Sequence, residues 1–296
     1  MISQAFNAVL PSFVMIFVGY IYGRIFKDKD INIVNDIATW LMAPLVTFTF
    51  TNDYVPSIDV LLKFGGGFAI LFVVSFLISR LHKKDRELFF TGNVYVNSGY
   101  LGYPVLLALW GEEALALGVV YSFVNVLFGS TFLPAMIRGR FEWKNVVKLP
   151  FVYAIAAGWI LGLMGISYKA LPTGILTGFN WLKDMAIPFL LLQVGLSISK
   201  ISFEKSDLAH YLILCAERLV LIPLIMVAFA LILKPFEAKV FILESAMPIG
   251  VNSVVVINTF KKEDTPKAGV TVALSTLLSL FTLPMWAYVL EKIFGM

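Results

Sequence analysis

Asn93 and Asn97 lie four residues apart, a spacing that puts two side chains on one helical face, and Pro104 continues that stripe. Further along, Glu244, Pro248 and Asn252 recur at spacing four, with Ser253 and Asn258 behind them. Ser98 and Tyr100 flank Asn97. Amides and hydroxyls donate and accept hydrogen bonds without carrying charge. Proline lacks the backbone donor and clashes with the preceding turn. The combination suits a place where a helix is interrupted and its freed backbone groups, with nearby amides, grip a small solute.

The surrounding chain must position these residues inside a membrane. Of 296 residues, 59% are hydrophobic and 14% charged. Ten apolar runs approach the ~20 residues that a bilayer core asks of a helix: 5–26, 32–51, 59–80, 88–110, 113–137, 145–166, 175–199, 208–233, 237–260 and 267–292. A spanning backbone must satisfy its own hydrogen bonds, and period-two alternation is absent, so the expected class is an all-α membrane protein of ten helices. The first run ends in Arg24, has no basic residue before it and offers no small-residue cleavage site, so it reads as a span and not as a cleaved signal.

Loops after the odd-numbered spans contain 16 basic residues, including Arg24, Arg80, Arg138, Arg140, Lys200, Lys205 and Lys267, against five on the other side. Basic loops stay cytoplasmic, which places both termini outside the cell membrane. The same bias explains the net charge of +4 without a nucleic-acid partner. Cys215 is the single cysteine, inside span eight, and reads as a small buried or lipid-facing side chain.

The chain also repeats itself. Leu10-Pro11 followed by Gly19 and Gly23 reappears as Leu149-Pro150 followed by Gly158 and Gly162. Pro44 is matched by Pro188 and Pro104 by Pro248, both 144 residues on (188−44, 248−104). Leu133-Pro134 is echoed by Leu283-Pro284. Five spans per half, an odd number, make residues 1–140 and 141–296 inverted repeats. A single proline in a membrane span is more often a kink, and a single Asn often joins neighbouring helices. Matching positions in two repeats favour helices four and nine broken at Pro104 and Pro248 and crossing at the midplane.

Asn97 and Asn252, beside the breaks, are the expected ligand contacts; Asn93 and Asn258 are equally readable as interhelical links. Half-helix N-termini favour a carboxylate or other small anion; the opposing C-termini suit a cation, so electrostatics leans towards an anion with a cation as the open alternative. Ionisable residues within spans are Asp36, Lys183, Asp184, Glu217, Arg218 and Glu244. Glu244 leads as a proton-coupling candidate and Asp184 follows, with a structural ion pair to Lys183 or Arg218 as the alternative. His82 and His210 fall at span ends, where solvation is expected. No HExxH or GxSxG pattern occurs; no catalytic residue, cofactor or metal site is read, although catalysis by Asp184 and Glu244 stays as a remote rival.

Asn97-Ser98-Gly99-Tyr100-Leu101-Gly102-Tyr103-Pro104, Ala246-Met247-Pro248-Ile249-Gly250-Val251-Asn252-Ser253, Pro44-Leu45-Val46-Thr47 and the stretch from Asp184 to Gly195 together resemble the auxin efflux carrier family, which includes plant PIN auxin carriers and bacterial malate-type permeases. The resemblance covers nearly the whole chain. It implies an elevator-type secondary transporter of small organic anions. Spans 1, 2, 6 and 7 would form a scaffold, often a homodimer, and spans 3–5 and 8–10 a moving transport domain. It further implies a carboxylate contact at Asn97, Thr47 lining the site from the scaffold, and Asn125 as a looser match. One departure stands: Lys63 to Phe68 carries no acid after Asp59, so the acidic–basic pair of the plant carriers is missing. Proton or sodium coupling is undecided, and a sodium-coupled symporter of the bile-acid type is the main alternative.

Overall fold

A computed structural model describes residues 2–139, 141, 144, 146–201 and 208–295. Arg140 and Lys205, counted among the basic loop residues, lie outside the described residues. Among the described residues the regular elements are helical, and the one β-type contact is an isolated antiparallel bridge between Val96 and Ile249. Seven helical stretches are long and apolar enough to cross a bilayer. Six are α1 (Ile2–Ile25), α2 (Asn32–Asp53), α3 (Ile58–Ser79), α5 (Ser98–Arg138), α7 (Thr173–Ser199) and α8 (Leu208–Ala230). The seventh holds α11 (Thr265–Phe294). Four shorter helices complete the set: α4 (Arg86–Val94), α6 (Pro150–Leu163), α9 (Pro235–Ser245) and α10 (Asn252–Phe260).

The 41 residues of α5 are not one rod. Gly111 has φ 82°, and a Cβ on Gly118 would lie 2.4 Å from Leu106 Cδ1. Twelve residues of straight helix span about 18 Å, so contact between positions 106 and 118 requires the chain to fold back at Gly111. Glycine is suited to that left-handed backbone. The expected separation of runs 88–110 and 113–137 is therefore realised by one residue.

Prolines leave a consistent mark on the spans. Wide π-turns cover Ala38–Met42, Ser98–Gly102, Phe128–Phe132 and Glu217–Leu221, and each ends two residues before a proline: Pro44, Pro104, Pro134 and Pro223. Proline clashes with the carbonyl four residues back, and widening the turn relieves the clash. Pro188 and Pro284, by contrast, sit inside regular helix.

The echoed glycines mark close helix contacts. α1 packs on α7 and α2 packs on α6. A Cβ on Gly19 would fall 2.1 Å from the Leu192 carbonyl oxygen, and one on Gly158 2.0 Å from Thr51 Oγ1. Small residues let membrane helices approach backbone to backbone, where packing supplies the association energy. Phe17, Trp40, Leu62, Trp181 and Phe281 point outward, as a lipid-facing belt requires. Inside, Phe68, Tyr121 and Phe241 meet edge to face at 5.5 and 5.3 Å, joining α3, α5 and α9.

Candidate functional site

Two interruptions meet in the interior. α4 stops at Val94 and helix resumes at Ser98; α9 stops at Ser245 and α10 begins at Asn252. In each gap a short stretch pairs antiparallel, Val96 with Ile249, which these β-branched residues favour. Asn97 N–H donates to the Pro248 carbonyl at 2.9 Å, and Gly250 N–H donates to the Tyr95 carbonyl at 2.9 Å. A Cβ on Gly250 would sit 2.9 Å from the Val96 oxygen, so the approach depends on that glycine. Pro248 lies within its break. Pro104 does not: the first break falls at 95–97, and Pro104 sits early in the continuing helix, where a missing N–H costs least.

Beside this meeting of the two interruptions lies a cavity of about 460 Å³. Its inner wall is Thr47, Asn97, Ser98, Tyr100, Tyr103 and Ser122; toward its mouth stand Ser130, Asn252, Thr259 and Arg138. Hydroxyls tie its walls together. Tyr95 Oη reaches Ser130 Oγ at 3.5 Å and neighbours Asn252, Tyr103 neighbours Ser122 and Thr47, and Tyr100 neighbours Thr39. Among the described residues Arg138 is the one charged lining residue; it donates to the Thr259 carbonyl and lies over the Phe260 ring at 4.3 Å. The helix resuming at Ser98 turns its first residues, Ser98, Gly99 and Tyr100, into the lining. A helix start leaves backbone N–H groups unpaired and carries positive partial charge. Donors, hydroxyls and a guanidinium make the cavity suited to a small anion.

Of the residues singled out in the sequence, Asn97, Ser98, Asn252 and Thr47 line this cavity. Asn97 is 7% exposed, and its Nδ2 has no hydrogen-bond partner among the described residues. Ser253, next to Asn252, is buried and does not line the cavity; its Oγ likewise has no partner there. Asn125 is fully buried on α5, with neither amide atom partnered among the described residues, and it too lies outside the lining. Asn93 and Asn97 do not share a face, because the break separates them. Asn93 instead donates its amide to Glu217 Oε2 at 2.9 Å.

The ionisable residues divide sharply. Glu244 is fully buried on α9, its carboxyl fitted against Gly102 and Gly118, where a Cβ would come within 2.6 and 3.0 Å of it. Neither oxygen has a hydrogen-bond partner among the described residues, and the group does not reach the cavity lining. Asp184 is exposed on α7, away from the cavity. Arg218, also fully buried, donates from Nε to the Met247 carbonyl at 3.0 Å, from Nη1 to the Asn93 carbonyl at 2.6 Å and from Nη2 to the Ser245 carbonyl. The histidines are not simply solvated. His82 Nε2 lies 2.6 Å from Glu217 Oε1 and its ring stacks on Phe89 at 3.6 Å, while His210 lies 3.2 Å from Asp85. Acids brought from distant parts of the chain capture both rings.

Tyr95, Tyr103, Ser122 and Ser130 carry no signal in the sequence that separates them from other polar residues of apolar spans. Arg138 stands out there only as a loop charge.

A family model described as "Membrane transport protein" matches residues 4–147 and 139–287. An "Uncharacterized transporter" of Methanocaldococcus jannaschii is 26% identical, over 96% of this chain and 98% of its own. A protein of Methanothermobacter thermautotrophicus with the same description is 29% identical, over 66% of this chain and 65% of its own. A Rhizobium meliloti protein named "Putative malonate transporter" is 25% identical, over 96% of this chain and 95% of its own. With seven apolar stretches able to span a bilayer and a family match running nearly end to end, this multi-pass membrane protein belongs to the membrane transport protein family of auxin efflux carriers.

Proposed function

We propose that the protein is a secondary transporter that moves a small organic anion, a mono- or dicarboxylate, across the cell membrane by alternating access. The observation that carries this reading is the cavity beside the crossing. Asn97 presents an amide nitrogen with no partner among the described residues, a helix start faces the space, and the charged lining residue among those described, Arg138, is positive. A carboxylate supplies an acceptor for the Asn97 amide and a negative charge to face the guanidinium. The relative named for malonate transport supports a dicarboxylate as the first substrate to test.

The architecture that fits this role has ten spans. The seven apolar stretches become ten when α5 counts as two legs, α6 as a short span, α4 with the first leg of α5 as span four, and α9 with α10 as span nine. On this reading residues 1–140 and 141–296 are inverted repeats. The exchange of partners, α1 with α7 and α6 with α2, supports it, since each repeat's first span packs on the other repeat's second. Spans 1, 2, 6 and 7 then form a scaffold, with a homodimer as the proposed assembly. Spans 3–5 and 8–10 move past it as an elevator. The cavity mouth, at Arg138 and Thr259, belongs to the basic and hence cytoplasmic side, with both termini outside. Thr47 is the scaffold's contribution to the site. Glu244, close to Tyr103, is the better placed candidate for proton coupling; Asp184, exposed and outside the cavity lining, comes second.

A thermal-shift screen of small carboxylates, malonate and malate included, against an amine and a neutral sugar tests the reading. A ligand bound only by the folded state raises the melting temperature. Stabilisation by carboxylates alone, followed by their uptake into liposomes, is expected. Uptake of the neutral or cationic solute in their place overturns it.

A further inference from the structure

Helix C-termini are the electrostatic problem at this crossing. α4 ends at Val94 and α9 at Ser245, and both ends are buried at the meeting point. The last four carbonyls of a helix have no intrahelical partner, and each such end carries about half a negative charge. Two ends together call for roughly one positive charge. In a transporter, an alkali cation held by those carbonyls is one way to supply it.

Arg218 already stands there. One guanidinium donates to carbonyls from both interruptions: Asn93 at 2.6 Å on one side, Met247 at 3.0 Å and Ser245 on the other. The planar fork, with five N–H donors, can bridge several carbonyls at once. Among the described residues no carboxylate lies within ion-pairing distance of Arg218. Its neighbour Glu217 is turned away, toward His82 at 2.6 Å and the Asn93 amide at 2.9 Å. The hydrogen bonds of Arg218 thus go chiefly to main-chain carbonyls, with the Tyr121 hydroxyl and the buried Glu244 carboxyl as its electrostatic neighbours.

We propose that Arg218 is a resident cation: it occupies the position an alkali ion would take between the two helix ends and holds the interruptions in register, so that Asn97 faces the cavity. The carrier consequently needs no sodium. Arg218 is a positioning residue, remote from the cavity lining. The statement about transport rests on the function proposed above; the occupancy of the crossing by Arg218 does not.

The experiment compares melting temperatures of the purified protein in sodium chloride and in choline chloride at equal ionic strength. Wild type should melt alike in both. Arg218→Ala should melt lower in choline and recover part of the loss in sodium, because the vacated carbonyls can then bind a small cation. Arg218→Lys keeps a charge and three donors, and should show little sodium response. Sodium-specific stabilisation of wild type overturns the proposal, as does a folded Arg218→Ala that melts equally low in both salts. If Arg218→Ala does not fold, the wild-type comparison still decides. For the transport consequence, carboxylate uptake into liposomes should be equal with and without a sodium gradient, and sodium-driven uptake overturns it. The melting comparison uses no substrate, so it tests the place of Arg218 even if carboxylates prove not to be the cargo.

Discussion

Asn97 and Pro248, from opposite halves of the chain, are joined main chain to main chain: the Asn97 N–H donates to the Pro248 carbonyl across 2.9 Å. The bond fixes the Asn97 backbone and leaves its side-chain Nδ2 without a partner among the described residues. One residue therefore pins the two interruptions together and, on the function proposed above, offers its amide to the ligand.

Asn97→Ala separates these roles. The backbone bond survives, and no acceptor is orphaned, so the protein should remain folded. A hydrogen bond to a charged group contributes about 1.5–3 kcal/mol. Carboxylate affinity should therefore fall about ten- to hundredfold, read as loss of the substrate-induced thermal shift. Undiminished binding removes Asn97 from the site.

Gly250→Ala tests the crossing itself. Its Cβ would meet the Val96 oxygen at 2.9 Å, a backbone atom with little freedom to move. Such overpacking costs about 1–3 kcal/mol, which should appear as a lower melting temperature together with slower uptake. An unchanged melting temperature means the interruptions approach less closely.

Arg138→Gln addresses the mouth of the cavity. The side chain is exposed, so the fold should tolerate the change. Loss of this lining charge should raise KM for a carboxylate about three- to tenfold, with the difference shrinking at high salt. Equal KM values at low salt place the guanidinium outside the substrate's path.

Glu244→Gln asks whether the buried carboxyl couples protons. The amide keeps the shape between Gly102 and Gly118 but cannot carry the proton. Uptake that varies with pH in wild type should become flat in the variant while substrate binding persists. A wild-type pH profile in the variant assigns Glu244 to packing.

Much of this protein is written in the order of its residues. Runs of apolar side chains mark a multi-pass helical membrane protein because a bilayer core excludes unpaired backbone. The echoed glycines were legible as a repeat signature, and the fold gives them their use: a missing Cβ lets Gly19 approach Leu192 and Gly158 approach Thr51. Asn97, Ser98, Thr47 and Asn252 were legible through their neighbours in sequence or through family likeness, and they line one cavity.

Other features needed the third dimension. Helical spacing put Asn93 beside Asn97, yet the break at 95–97 turned one toward Glu217 and the other into the cavity. Pro104 looked like the break, but a π-turn absorbed its clash and the interruption fell earlier, where Val96 pairs with Ile249. The partners of Arg218 come from positions 93, 245 and 247, and no local pattern announces that a single guanidinium will close two helix ends. Periodicity and composition act along the chain, within a turn or two. Hydrogen bonds between distant carbonyls and side chains depend on which helices meet, and only the folded packing decides that.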